Sequence, residues 1–184
     1  TPCLKTLSSY LEQINERGSY TNFGPLHQEL TSKLEEYLGV KNLLLVSNGT
    51  LALHIAYRVL DIKSAVCTPF SYAATASSLA WEKIPFLFSD IDSDSLNICP
   101  KLVEEKLINK KNIDSIVATH VYGNACDVEA FEKLQRKFDV KIIYDGAHAF
   151  NIKYGKKSLS NYGDASTLSF HATKVFHTLE GGAI

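Results

Sequence analysis

A chain of 184 residues with 45% apolar composition can bury one sizeable core. Nineteen basic against twenty acidic residues leave a formal charge of −1 and no basic block, which argues against nucleic acid or an anionic membrane surface as the main partner. No apolar run is long enough to span a bilayer, and the first residues lack the charged-then-apolar layout of a secretory signal, so the expectation is a cytoplasmic protein.

Cys3, Cys67, Cys99 and Cys126 form no Cys-x-x-Cys pair and read as reduced thiols, and the six histidines form no close ligand pair, so no metal site is expected. The chain contains no methionine and stops at Gly181-Gly182-Ala183-Ile184, from which the expectation is a piece of a longer protein.

Leu7, Leu11 and Ile14 predict a helix over 4–17, an arm at the start of the chain. Asn22-Phe23-Gly24-Pro25 is turn chemistry. Leu26, Leu30, Leu34 and Leu38 then mark an amphipathic helix that Gly39 is placed to end. The apolar run 42–46 predicts a strand covered on both faces. Ser47-Asn48-Gly49-Thr50 separates it from a helix over 51–60, and a strand, small polar turn and helix in that order make a phosphate-binding point, with a plain N-cap by Asn48 or Thr50 as the competing reading.

The alternation continues with strand 65–68, helix 73–81 and strand 86–89. Pro69-Phe70-Ser71-Tyr72 lies in the first strand-to-helix loop, where Tyr72 could lie flat on a ring-shaped ligand or cover the edge of the core. After the acidic turn-rich stretch 90–97 come helix 100–107, strand 114–119, His120-Val121-Tyr122-Gly123-Asn124, helix 128–138 and strand 140–144. Asp145-Gly146-Ala147-His148-Ala149-Phe150 follows, then loop 158–163 and strand 165–169. Such alternation implies right-handed crossovers, hence an α/β fold of three layers with a largely parallel central sheet and helices on both faces. Ligands of open sheets sit outside the carboxyl ends of the strands, and Asn48 to Thr50, Tyr72, Asp145, His148 and Ser169 all follow strands.

Lys174, in Ser169-Phe170-His171-Ala172-Thr173-Lys174-Val175-Phe176, is the only charged residue between Asp164 and Glu180. Apolar company disfavours an ammonium and favours the neutral, nucleophilic amine, whose usual partner is a carbonyl such as the aldehyde of pyridoxal phosphate. A lysine snorkelling from a strand end is the competing reading. Asp145 ends a strongly apolar strand and needs a cationic partner, which a protonated pyridine nitrogen would supply. Capping of the following turn or an arginine elsewhere are the alternatives.

Ser-Asn-Gly-Thr at 47–50, Tyr-Asp-Gly-Ala-His-Ala-Phe at 144–150 and Ser-Phe-His-Ala-Thr-Lys-Val-Phe-His-Thr-Leu-Glu-Gly-Gly-Ala-Ile at 169–184 together resemble the nucleotide-sugar aminotransferases of the DegT type, a group of fold-type-I pyridoxal phosphate enzymes. The resemblance runs along nearly the whole chain, with His120-Val121-Tyr122-Gly123 in its place. It implies that 1–184 is an incomplete large cofactor-binding domain of the aspartate aminotransferase type, without the small C-terminal domain. It implies that Lys174 bonds the cofactor's aldehyde and later moves a proton, and that Asp145 pairs with the pyridine nitrogen. By the same likeness His148 lies beside the 3-hydroxyl, Ser169, Gly49 and Thr50 hold the phosphate, and Tyr72 stacks on the ring. The implied reaction is a transamination with glutamate as donor and a dTDP-linked 4-keto-6-deoxyhexose as acceptor. A 3-keto sugar is the alternative acceptor, and a non-enzymatic binding or regulatory module the alternative function. A homodimer and a place in the synthesis of deoxysugars for polysaccharide are implied as well. A dehydratase of the same fold would carry histidine where Lys174 stands, and no Gly-x-Gly-x-x-Gly supports a nicotinamide enzyme.

Overall fold

The computed structural model of the chain describes residues 3–18, 20–21 and 23–184; Asn22, in the turn expected at 22–25, lies outside them. Its helices are α1 (Leu4–Arg17), α2 (Pro25–Leu38), α3 (Gly49–Val59), α4 (Ala74–Trp81), α5 (Pro100–Asn109) and α6 (Val128–Phe138). The strands are β1 (Leu45–Val46), β2 (Ala65–Cys67), β3 (Phe86–Phe88), β4 (Ser115–Thr119), β5 (Lys141–Asp145), β6 (Lys153–Tyr154), β7 (Lys157–Ser158), β8 (Ala165–Ser169) and β9 (Gly182–Ala183). Seven of them form one sheet in the order β1-β9-β8-β5-β4-β2-β3. The neighbours from β8 to β3 are parallel, and β9 runs against both β1 and β8.

Strand parity assigns the layers. On β5, Ile142 and Tyr144 point to one face and Ile143 and Asp145 to the other. The first face packs with Val66, Ile116 and Ala118 against Val103 and Leu107 of α5 and Val128, Phe131 and Leu134 of α6. The second packs with Ala65, Cys67 and Val117 against Leu53, Ala56 and Tyr57 of α3 and Leu79 of α4. Each large apolar side chain fully buried in these layers contributes roughly 1.5–3 kcal/mol. The expected three-layer α/β architecture is therefore present, and Asp145 projects into the layer that also holds α3 and α4.

Helices follow their sequence signals closely. The leucine row of α2 buries Leu34 and Leu38 against Leu43, Leu168 and Ala183, and Gly39 ends the helix in the left-handed region at φ 63. Asp127 caps α6 by accepting the Ala130 N–H at 2.9 Å. By contrast α1 forms over the expected residues but buries none of them.

Three details differ from the sequence reading. The strand expected over 42–46 is only Leu45–Val46 and is half-buried, because Asn42 turns the chain at φ 62 and β1 sits at the sheet margin with β9 as its one neighbour. The loop expected over 158–163 begins in a hairpin, β6 with β7 around Gly155, and continues as a 3-10 turn at Leu159–Asn161 that buries Leu159. β9 follows from no sequence pattern: Gly182 and Ala183 have too few side-chain atoms to alternate, and their place is set by pairing with Val46 and Ser169.

Candidate active site

The carboxyl ends of β1, β5 and β8 open into a cleft of about 470 Å³ whose lining includes Asn48, Gly49, Thr50, Tyr72, Asp145, Ser169 and Lys174. At its first corner, Asn48 Oδ1 accepts the Leu51 N–H at 2.8 Å and the Asn48 carbonyl accepts the Ala52 N–H at 3.2 Å. The capping reading of Asn48 is thus correct, and the cap uses the Leu51 N–H, which leaves the Gly49 and Thr50 N–H groups at the positive end of α3 outside it.

Asp145 forms the second corner at 5% exposure. Its Oδ2 accepts the Thr75 hydroxyl at 2.7 Å and its Oδ1 accepts the Ala147 N–H at 3.1 Å. The backbone is braced as well, because the Asp145 carbonyl accepts the His120 N–H at 3.0 Å. The carboxylate does cap its turn, yet it forms no ion pair among the described residues. A carboxylate so placed favours a cationic group arriving through the cleft. Beneath it His120 is fully buried, stacked on Tyr144 with ring centroids 4.7 Å apart, and accepts the Cys126 N–H on Nδ1 at 3.1 Å; burial brings its pKa down to about 4.

Ser169 and Lys174 form the third corner. Beyond Ser169 the segment is pinned by Phe170, which is 1% exposed, and by Phe176, stacked on Phe150 with centroids 4.6 Å apart. Phe170 donates its N–H to the Gly181 carbonyl at 2.8 Å, closing the segment at its base. The apolar enclosure expected around Lys174 is absent from this chain: Lys174 is half-buried, and Val175 is 96% exposed. The phenylalanines that flank it in sequence pack with Phe150 instead, so they anchor the loop and leave the amine facing the cleft.

His148 is the residue that the structure sets apart. It is exposed and lines a neighbouring cavity of about 280 Å³ with Phe70, Thr119, Tyr122 and Tyr72, the last of which borders both spaces. Partial burial lowers the His148 pKa, the Lys174 charge lowers it further, and Asp145 opposes both, so the imidazole is within electrostatic reach of the two key groups. Thr75, His171 and Glu180 belong to the site's surroundings and were not among the residues read from sequence. Thr75 holds Asp145. His171 and Glu180 line the cleft, with His171 Nε2 3.6 Å from a Glu180 oxygen. Thr75 is the second residue of α4, three residues after Tyr72, a position that carries no sequence signal of its own.

A mostly parallel α/β sheet with a helix start, a buried carboxylate and a lysine bordering one cleft beyond its strand ends is the architecture of the pyridoxal phosphate-dependent aminotransferases. Residues 4–184 match the DegT/DnrJ/EryC1/StrS aminotransferase family, and the chain belongs to that family. It is similar to a dTDP-4-amino-4,6-dideoxy-D-glucose transaminase of Shigella dysenteriae, 45% identical over 184 residues, which are 100% of this chain and 50% of that protein. An Escherichia coli protein of the same description is 37% identical over 186 residues, covering 100% of this chain and 49% of its own length. Among solved structures, DesI in the presence of its TDP-sugar product superposes with a TM-score of 0.93 at 27% identity, over 100% of this chain and 46% of that one. The chain thus spans about half the length of the curated relatives it matches.

Proposed function

We propose that the full-length protein is a pyridoxal phosphate-dependent transaminase that moves the amino group of glutamate onto C4 of a dTDP-linked 4-keto-6-deoxyhexose. The observation that carries this reading is the convergence of Lys174, Asp145, Ser169, Gly49 and Thr50 on one cleft. The residues fit the cofactor at both ends. A buried carboxylate without an ion-pair partner suits a protonated ring nitrogen, and unclaimed N–H groups at the start of α3 suit a phosphate. When bound, the cofactor supplies an aldehyde and an electron-accepting ring.

In this reading the chain's residues divide the work. Lys174, whose side chain lines the cleft, would hold the cofactor through its aldehyde and would serve as the base that moves a proton during the transfer. Asp145, aimed by Thr75 and Ala147, holds positive charge on the ring nitrogen. The Ser169 and Thr50 hydroxyls and the Gly49 and Thr50 N–H groups would hold the cofactor's phosphate. Tyr72, which borders both cavities, would cover its ring, and His148 would contribute a hydrogen bond from the adjoining cavity. Residues 1–184 form part of a large cofactor-binding domain, and the complete protein is a cytoplasmic homodimer supplying amino sugar for a deoxysugar polysaccharide. The descriptions of the two curated relatives support the dTDP sugar and the carbon.

The test is to incubate full-length protein with cofactor, glutamate and dTDP-4-keto-6-deoxyglucose and to locate nitrogen in the product by NMR. Nitrogen at C4 with equimolar 2-oxoglutarate is the expected result. Turnover confined to a 3-keto sugar, loss of water without C–N bond formation, or no turnover contradicts the proposal.

A further inference from the structure

Gly182 lies where three backbones meet. In β9 it pairs with Val46 on one side and with Ser169 on the other, so it lies between the strand that enters the Asn48–Gly49 turn and the strand that ends at the Ser169 hydroxyl. A Cβ placed on Gly182 would lie 2.6 Å from the Asn48 carbonyl carbon, 2.8 Å from its oxygen and 2.8 Å from the Gly49 nitrogen. Those atoms form one peptide unit, the one that carries the first N–H of α3. Opposite, a Cβ on Gly49 would lie 3.0 Å from Ser169 Cβ. Backbone atoms, unlike the tip of a long side chain, cannot swing aside, so any residue larger than glycine at 182 must displace the Asn48–Gly49 peptide.

β9 is also the exit of the lysine segment. The Phe170 N–H donates to the Gly181 carbonyl at 2.8 Å and the Thr178 N–H to the Phe170 carbonyl at 2.9 Å, so the segment bearing Lys174 closes directly onto Gly182. We infer that Gly182 is a positioning residue for the phosphate end of the site: it seats the Asn48–Gly49 peptide against β9 and registers the anion-binding N–H groups to the lysine segment. This inference rests on the cofactor reading above.

The test uses full-length apoprotein titrated with pyridoxal phosphate and, separately, with pyridoxal, which has the ring and aldehyde without the phosphate. Wild type should prefer the phosphorylated form, and Gly182→Ala should weaken pyridoxal phosphate at least tenfold while changing pyridoxal by no more than about twofold. Parallel loss of both ligands, or retention of both, overturns the inference. Wild type that binds the two equally overturns the cofactor reading itself. Should the variant not fold, hydrogen exchange on wild type with inorganic phosphate carries the test. Slowing in peptides covering 45–53 and 180–184 together supports the inference, and slowing confined to 45–53 overturns it.

Discussion

Asp145 and Lys174 serve one cleft from opposite kinds of structure. Asp145 ends a strand buried on both faces, is 5% exposed, and receives hydrogen bonds from Thr75, Ala147 and, through its carbonyl, His120. Lys174 sits on a segment whose apolar anchors are Phe170 and Phe176, with Val175 96% and Leu179 71% exposed. The carboxylate corner is held by hydrogen bonds from its neighbours, whereas the lysine segment leaves apolar side chains exposed. Electrostatic preorganisation is served by a rigid corner, and in the proposed function exchange at the amine would need room to move.

The comparison breaks most visibly at the lysine. Lys174→Ala in the full-length protein should lower turnover by on the order of 10⁴-fold, the upper range for loss of a positioned base, while chemical denaturation shifts by less than about 0.5 kcal/mol. A large loss of stability would mean that the segment is as well packed as the carboxylate corner. Asp145→Asn retains an acceptor for Ala147 but removes the charge, and steady-state kinetics should show a fall of roughly 10²- to 10³-fold.

Acid should attack the corner rather than the segment. Burial holds His120 at about 4 against an ordinary value of 6.5, so the fold keeps it neutral and favours that form. Its contribution is fully present above pH 6.5 and is lost as pH falls toward 4, a change of up to about 3 kcal/mol. Urea unfolding measured across this window should show the loss, and His120→Phe should flatten the profile. Thr75→Val leaves Asp145 Oδ2 without its donor and should cost about 1–3 kcal/mol with reduced turnover. Asp127→Ala, which removes only the α6 cap, should cost about 1 kcal/mol in denaturation and leave turnover unchanged.

Legibility in the sequence follows the range of the interactions. The α2 leucines, the α6 amphipathic pattern and the β4 and β5 apolar runs are local signals that tertiary packing did not override, and their elements fall within a residue or two of the reading. The strand-end rule was sufficient to gather Asn48 to Thr50, Tyr72, Asp145 and Ser169. Thr75 was invisible because its importance lies in a contact across 70 residues, and β9 because two small residues carry no periodicity. The apolar neighbours of Lys174 misled for a related reason: sequence shows which residues are adjacent and not which way they turn, and Phe176 turns to Phe150. His148 is three residues after Asp145 in sequence but lines the adjoining cavity, since the turn at 146–149 redirects it.

The most direct test of the central claim is the visible absorbance of full-length protein with pyridoxal phosphate, before and after glutamate, for wild type and Lys174→Ala. The account predicts a visible band in wild type that glutamate shifts to the ultraviolet band of the aminated cofactor, and no such band in the variant. A wild-type band that persists unchanged in Lys174→Ala, or a folded wild type that forms none, would contradict it.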